Sequence, residues 1–188
     1  MGLPPRYEIR IAGFGGQGVV TIGKILGLAF SVYGGKNSTN TQSYGPESRG
    51  GACRSEVVVS DREINYPYVR QADILVALSQ TALDTYIGAL KEGGGLIVDS
   101  EAVASVPAAE RFRLYPLPTV ALAHEAGDVK YQNMVVLGAL YRLLGRLIDE
   151  ASLLEALRAG VPAQTLAANL IAFEKGRDYV KSHFTQEN

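Results

Sequence analysis

Two glycine-rich segments hold the residues whose types and spacing could support chemistry. Residues 13–18 read GFGGQG, a G-x-G-x-x-G spacing in which glycines permit a tight turn and a close approach of backbone to ligand. Residues 42–51 read QSYGPESRGG, where Tyr44 offers an aromatic face and Arg49 a guanidinium that can clamp phosphate or carboxylate in bidentate fashion. The first segment favours an anionic or amide-rich ligand. The second favours a phosphate or carboxylate, or it is a solvent loop in which Glu47 and Arg49 form a surface salt bridge.

The first glycine segment does not fit an NAD site, and three other roles stay open. A dinucleotide site of the NAD type needs an acidic residue about 20 positions on to hold the ribose. No Asp or Glu occurs between Arg10 and Pro46, which argues against that ligand. The turn could instead pack helix against strand and bind nothing, it could bind another anionic ligand, or it could contact a partner chain.

The surrounding pattern predicts elements that position both segments. Tyr7–Ala12 alternates apolar and polar residues as a strand does, and Gln17–Tyr33 has helical spacing. Further strands are predicted over residues 53–60, 73–79, 96–99 and 111–117, and helices over residues 80–90, 133–146, 152–159 and 164–181. Residues 64–66 are expected to return beside 53–60 as an antiparallel hairpin, and residues 93–95, all glycine, are expected to break the chain before the next strand.

Strands that alternate with helices predict an α/β fold, a Rossmann-like three-layer α/β/α sandwich with a mainly parallel sheet and an antiparallel hairpin. Residues 1–188 are expected to form a single domain with a core of about residues 8–180. In a doubly wound sheet, the loops that follow the first two strands line one crevice. The two glycine segments are therefore expected to meet.

Composition excludes several classes of function. With 18 basic and 19 acidic residues and no Trp, nothing indicates nucleic-acid binding. No apolar run reaches the ~18 residues of a membrane span, and residues 1–10 lack the apolar core of a signal peptide, so a cytoplasmic location is expected. One cysteine, Cys53, is too few for an iron–sulfur cluster and is expected to be a buried filler, while His124 and His183 lack metal-ligand spacing.

The two glycine segments together resemble a known family. Residues 13–18 (GFGGQG) followed by 44–51 (YGPESRGG) are similar to the gamma subunit of 2-oxoacid:ferredoxin oxidoreductases, a module that also occurs as an internal domain of long single-chain pyruvate:ferredoxin oxidoreductases. Residues 72–80 (ADILVALSQ) and 133–138 (NMVVLG) extend the likeness, which covers roughly residues 8–180. The segment before Arg49 is most similar to the 2-oxoglutarate type.

The resemblance implies a role within a complex. Such enzymes decarboxylate a 2-oxoacid oxidatively with thiamine diphosphate and Mg, pass electrons through iron–sulfur clusters to ferredoxin, and transfer the acyl group to coenzyme A. Those cofactors are expected in alpha, beta and ferredoxin-like partner subunits, so the isolated chain is expected to be inactive. Coenzyme A is expected at this subunit. The implied binding residues are Gly13, Gly15, Gly16, Gln17, Gly18, Tyr44, Arg49 and Gly50.

Two other functions stay open on the residues alone. The chain could be a stand-alone protein that binds coenzyme A or a nucleotide, or a purely structural assembly subunit. Tyr66 and Tyr68 are expected to form an exposed docking patch, and the isolated chain could pair with itself through a surface meant for partners. Asp99 is expected to act as a cap or turn residue, and Asn133 as a helix N-cap.

Overall fold

A computed structural model describes residues 5–44 and 52–184. Within these residues six strands form one mixed sheet in the order β2-β3-β1-β4-β5-β6. Strand β1 lies parallel to β4, which lies parallel to β5 and then β6, whereas β3 runs antiparallel to both β1 and β2. The strands are β1 (Tyr7–Phe14), β2 (Asn37–Tyr44), β3 (Ala52–Ser60), β4 (Ala72–Ala77), β5 (Leu90–Asp99) and β6 (Arg113–Leu117).

Six α-helices are present in the described part of the chain, and most flank the parallel strands. They are α1 (Val19–Leu28), α2 (Gln80–Tyr86), α3 (Thr119–Glu125), α4 (Gln132–Leu144), α5 (Glu150–Gly160) and α6 (Leu166–His183). A π-helical turn, Ala29–Tyr33, extends α1 to the predicted end of that helix. None of these helices is long and apolar enough to cross a membrane.

The helices cover the sheet unequally. On one face, Ile9, Ile11 and Val57 pack in a cluster with α1 and α3–α6. On the other face, Val58 and Leu75 pack against α2 and against chain without regular structure. The α/β class, the helices on both faces and the mainly parallel sheet with an antiparallel hairpin are confirmed, while the single domain over residues 1–188 stays a prediction.

The predicted hairpin partner was wrong. Strand β3 pairs with β1 along one edge and with β2 along the other, so it has no free edge for residues 64–66. The Arg6 guanidinium donates to the carbonyls of Tyr66 at 2.7 Å and Tyr68 at 2.6 Å. The Glu8 carboxylate accepts from the backbone N–H of Arg70 at 2.7 Å. Both tyrosines are left at the surface, 42% and 50% exposed, so their docking role stays a prediction.

The predicted break at residues 93–95 was also wrong, because these glycines lie inside β5. The register with β4 passes from Ala72↔Leu90 to Ile74↔Gly95, so the extra residues bulge from the strand without ending it. Gly93 has a φ of +67°, a left-handed conformation that glycine adopts without a steric penalty. Glycine therefore marks a bulge here and not a boundary.

Candidate functional site

The glycine segment at residues 13–18 turns the chain from β1 into α1 at the carboxyl-terminal end of the sheet. Gly16 and Gly18 have φ values of +99° and +71°, so both positions require the left-handed region that favours glycine. Gly15 and Gly16 are exposed, whereas Gly13, inside β1, is buried. Gly18 is the N-cap of α1 and provides no capping side chain. The first-turn amides and the positive end of the helix dipole thus suit an anion.

Gln17 closes this turn with its own side chain. Its Oε1 accepts from the backbone N–H of Phe14 at 2.7 Å, and its Nε2 donates to the carbonyl of Leu78 at 3.0 Å. Gln17 therefore connects the turn to the end of β4. Because both polar ends of its carboxamide are engaged, Gln17 positions the turn, and the groups that could bind a ligand are those of the neighbouring backbone.

Removing this side chain should loosen the turn. In Gln17→Ala two hydrogen bonds are lost, each worth about 0.5–1.5 kcal/mol, so we expect unfolding free energy to fall by about 2 kcal/mol. The amide hydrogen of Phe14 should exchange at least about tenfold faster, since its acceptor is gone. Gln164→Ala is the control, because that side chain is exposed and forms no hydrogen bond with a described residue. Equal effects of the two substitutions on the Phe14 amide would contradict the assignment.

The second glycine segment joins two strands at the same end of the sheet. Tyr44, the last residue of β2, is in register with Cys53, and Phe14 is in register with Ala52. The structure thus brings the backbone of Tyr44 and Ala52, the residues on either side of 45–51, to the end of the sheet at which the glycine turn lies, as the doubly wound topology predicts. Arg49, Gly50 and the side chain of Tyr44 lie outside the described residues, so their place in the site stays a prediction.

Asn133 is a site residue whose contact with the turn the spacing did not predict. It lies inside α4, next to its first residue, and is not the expected N-cap, since Tyr131 occupies that position. A Cβ built on Gly18 would lie 2.5 Å from the Asn133 Nδ2, so the side chain fills the space that the glycine leaves. Its Oδ1 is buried and has no hydrogen-bond partner among the described residues. A buried acceptor without a hydrogen-bond partner lowers the free energy of unfolding unless a ligand donates a hydrogen bond to it.

Two other residues near this end of the sheet are structural, as predicted. Both carboxylate oxygens of Asp99 are engaged, one by the hydroxyl of Thr119 and the other by the backbone N–H of Glu101 at 2.9 Å. Burial raises the pKa of the Cys53 thiol, which therefore stays protonated and is a poor nucleophile. The chemistry available at this site is hydrogen bonding to an anionic or amide-bearing ligand.

These features define a class of protein: a Rossmann-like α/β module in which a glycine turn, the N-terminus of α1 and the Asn133 carboxamide lie at one end of the sheet. Residues 8–179 match the family model described as pyruvate ferredoxin/flavodoxin oxidoreductase. The chain belongs to this family.

Its relatives include subunits of several oxidoreductases. It is 46% identical to the 2-oxoglutarate synthase subunit KorC of Methanothermobacter thermautotrophicus, with 93% of this chain and 95% of that protein aligned. The crystal structure of the keto/oxoacid ferredoxin oxidoreductase gamma subunit from Geobacter sulfurreducens is 37% identical, with a TM-score of 0.86 over 95% of this chain and 98% of that one.

A larger enzyme contains a similar unit. The 2-oxoglutarate:ferredoxin oxidoreductase of Magnetococcus marinus, solved with 2-oxoglutarate, coenzyme A and succinyl-CoA bound, aligns with a TM-score of 0.86 and 27% identity. The alignment covers 99% of this chain but 32% of that one. The resemblance to a gamma subunit that also occurs within longer chains is confirmed.

Proposed function

We propose that this chain is the gamma subunit of a 2-oxoglutarate:ferredoxin oxidoreductase complex. The observation that carries the proposal is its pattern of identities. The chain is 46% and 44% identical to KorC subunits from Methanothermobacter thermautotrophicus and Methanocaldococcus jannaschii. Identity falls to 33% with a ketoisovalerate oxidoreductase subunit VorA and to 27% with an indolepyruvate oxidoreductase subunit IorB. The 2-oxoglutarate branch is therefore the best supported.

The proposal assigns the redox chemistry to other chains. One cysteine cannot ligate an iron–sulfur cluster of the usual kind, which takes about four thiolates. Thiamine diphosphate, Mg and the clusters would then belong to alpha, beta and ferredoxin-like subunits. This chain would contribute a binding surface, and its activity would depend on assembly.

Coenzyme A is the ligand that we assign to the glycine turn. Its phosphates suit the α1 N-terminus, where the exposed Gly15 and Gly16 keep the backbone accessible. The buried Oδ1 of Asn133 needs a donor, and the amide and hydroxyl groups of coenzyme A provide donors. Arg49 would add a charged partner for phosphate from the second glycine segment. When bound, coenzyme A supplies the thiol that accepts the acyl group.

The complex itself tests the subunit assignment. An affinity tag on this chain in its native cell should capture larger chains that contain iron–sulfur clusters. The captured complex should reduce ferredoxin with 2-oxoglutarate and coenzyme A, and at least about tenfold more slowly with pyruvate or indolepyruvate. Capture of the chain alone, with saturable coenzyme A binding, would instead identify a stand-alone binding protein. Higher activity with another oxoacid would refute the substrate.

The coenzyme A site is tested by substitution within the complex. Asn133→Ala removes one buried hydrogen bond, worth about 1.4 kcal/mol or tenfold in affinity, so the KM for coenzyme A should rise about tenfold. Arg49→Ala should raise it similarly or more, whereas the KM for 2-oxoglutarate should not change in either variant. Gln132→Ala, at the adjacent helix position, is the matched control. An unchanged KM for coenzyme A in both variants would show that the site lies elsewhere.

A further inference from the structure

A cavity of about 890 Å³ lies at the amino-terminal end of the sheet, opposite the glycine turn. It is lined by residues from the start of β6, the end of α4 and the end of α6, together with Tyr7 of β1 and Ile74 of β4. This volume falls within the roughly 300–1,000 Å³ of small-molecule sites. The family resemblance assigns no residue here.

The lining of this cavity is basic. Arg113 comes from β6, Arg142 and Arg146 from the end of α4 and just beyond it, and His183 from the end of α6; no Asp or Glu is among the described lining residues. Of the acids near the lining tyrosines, Asp149 caps α5 through Ser152, and two others are held in ion pairs. Asp73 pairs with Lys91 at 2.7 Å, and Glu150 pairs with Arg177 at 2.6 Å.

A purely structural explanation accounts for part of this cluster. Basic side chains near a helix C-terminus interact favourably with the helix dipole, and this suits Arg142 and Arg146. It does not explain Arg113, which belongs to a strand and donates from Nε to the carbonyl of Gly93 at 2.9 Å. Nor does a salt bridge hold Arg146, since no described residue forms an ion pair or hydrogen bond with it. Guanidinium groups from separate elements therefore converge on one space.

The rest of the lining suits a flat organic body. Tyr115 and Phe184 meet edge to face with ring centroids 5.2 Å apart, and Leu143 and Leu147 add apolar surface. Tyr7 adds a phenol hydroxyl to the lining. Burial above all, and then the nearby Asp73, raise the pKa of this phenol to about 12. The phenol hence stays protonated at neutral pH. Guanidinium groups bind phosphate or carboxylate in bidentate fashion, and aromatic rings pack against other flat rings.

We propose that this cavity binds a small organic anion with at least two negative charges and a flat ring system, the class to which nucleoside diphosphates belong. The guanidinium groups of Arg113 and Arg146 hold the charged end, and the Tyr115–Phe184 pair contacts the ring. The site is separate from the glycine turn and lies at the other end of the sheet. It gives the subunit a second ligand, independent of the proposed coenzyme A contact.

Fluorescence titration of the full-length chain with N-methylanthraniloyl-ADP tests the proposal, since the chain has no Trp to interfere. We expect saturable binding that unlabelled ADP reverses. Adenosine, which lacks charge, and pyrophosphate, which lacks the ring, should each displace the probe at least about tenfold less effectively. Arg146→Glu should weaken binding at least about tenfold because it replaces a cation by an anion at the charged end. Arg113→Ala should weaken it about fivefold.

Two controls separate this site from others. Arg158→Glu makes the same change of charge on α5, where Arg158 is exposed and pairs with Glu155, and it should leave affinity unchanged. Gln17→Ala should also leave it unchanged. The proposal is overturned if the native chain shows no saturable binding or if Arg158→Glu weakens binding as much as Arg146→Glu. Equal loss in Gln17→Ala would move the ligand to the glycine turn, and equal displacement by pyrophosphate would exclude a ring site.

Discussion

Replacing Gly176 by alanine should lower the unfolding free energy by about 3 kcal/mol, the upper part of the range for overpacked cores. The residue is buried on α6, where that helix crosses α4. A Cβ built on Gly176 would lie 1.9 Å from the backbone carbonyl oxygen of Val135. Because the obstacle is backbone, no side-chain rotation relieves the clash, and the two helices must move apart.

The clash is reciprocal across the helix pair. A Cβ on Gly138 of α4 would lie 1.9 Å from the carbonyl oxygen of Phe173 on α6. Glycine at both positions allows a backbone approach that any side chain would prevent. Alanine would raise helix propensity by up to about 1 kcal/mol, and this gain is too small to offset the separation of two buried surfaces.

Urea unfolding followed by far-UV circular dichroism measures this effect. Gly88→Ala is the matched control, since a Cβ there meets no atom within 4 Å and the position is exposed. It should change stability by less than about 0.5 kcal/mol. The double variant with Gly138→Ala should lose less than the sum of the single losses, because helices already separated by one methyl accommodate the other. A Gly176→Ala protein as stable as the control would contradict the close contact.

The same helix pair connects stability to function. Helix α4 carries Asn133 at one end, against Gly18 of the glycine turn. Its other end carries Arg142, and α6 ends at His183, both at the basic cavity. Movement of α4 away from α6 would thus disturb both ends of the sheet. The KM for coenzyme A and the affinity of the cavity should both weaken in Gly176→Ala at temperatures where it is still folded.

Local patterns in the sequence predict much of this fold. The alternation in Tyr7–Ala12 and the helical spacing of Gln17–Tyr33 identify β1 and α1 because each repeat matches the geometry of one element. The pairing of β2 with β3 was missed, since β2 (Asn37–Tyr44) consists of polar residues. Such composition is common on an edge strand, which meets water and gains by repelling other strands.

The candidate site was predictable only where it is contiguous in sequence. The turn from Gly13 to Gly18 is local, so its spacing indicated both its shape and its ligand class. The contact of Asn133 with Gly18 joins residues far apart in the chain, and the family likeness at residues 133–138 was the available signal. The basic cavity had no sequence signal at all, because its cations come from separate elements.

The alternating pattern of β1 also did not predict that a charged side chain of this strand would be buried. Alternation predicts one apolar face and one solvated face, yet Arg10 and Glu56 are 7% and 3% exposed. They are cross-strand neighbours in the β1–β3 register, and the Arg10 Nε donates to the Glu56 Oε1 at 2.8 Å. The chain then covers this pair with Val69, whose carbonyl accepts from Arg10 at 3.1 Å and whose N–H donates to Glu56 at 3.4 Å.

Breaking this buried pair should lower the free energy of unfolding, and removal of Glu56 should lower it more than removal of Arg10. Glu56→Leu leaves the Arg10 cation buried with the Val69 carbonyl and the Tyr86 ring 5.0 Å from its guanidinium carbon, so we expect a loss of about 3–5 kcal/mol. Arg10→Met leaves Glu56 with Arg54, whose Nε lies 3.6 Å from its Oε1 and which reaches solvent. That second cation should reduce the loss to about 2–3 kcal/mol.

The double variant decides whether burial of charge or loss of packing causes the effect. With both charges gone, Arg10→Met and Glu56→Leu together leave an apolar pair against Val69, so stability should recover to within about 1–2 kcal/mol of the native chain. Urea unfolding measures all three variants, with Arg158→Ala as the exposed-pair control at less than about 0.5 kcal/mol. Losses that simply add would mean that packing dominates. Recovery of stability together with faster amide exchange around Val69 would show that the pair helps Arg6 and Glu8 to fix the segment that presents Tyr66 and Tyr68, because Val69 then has no charged partner.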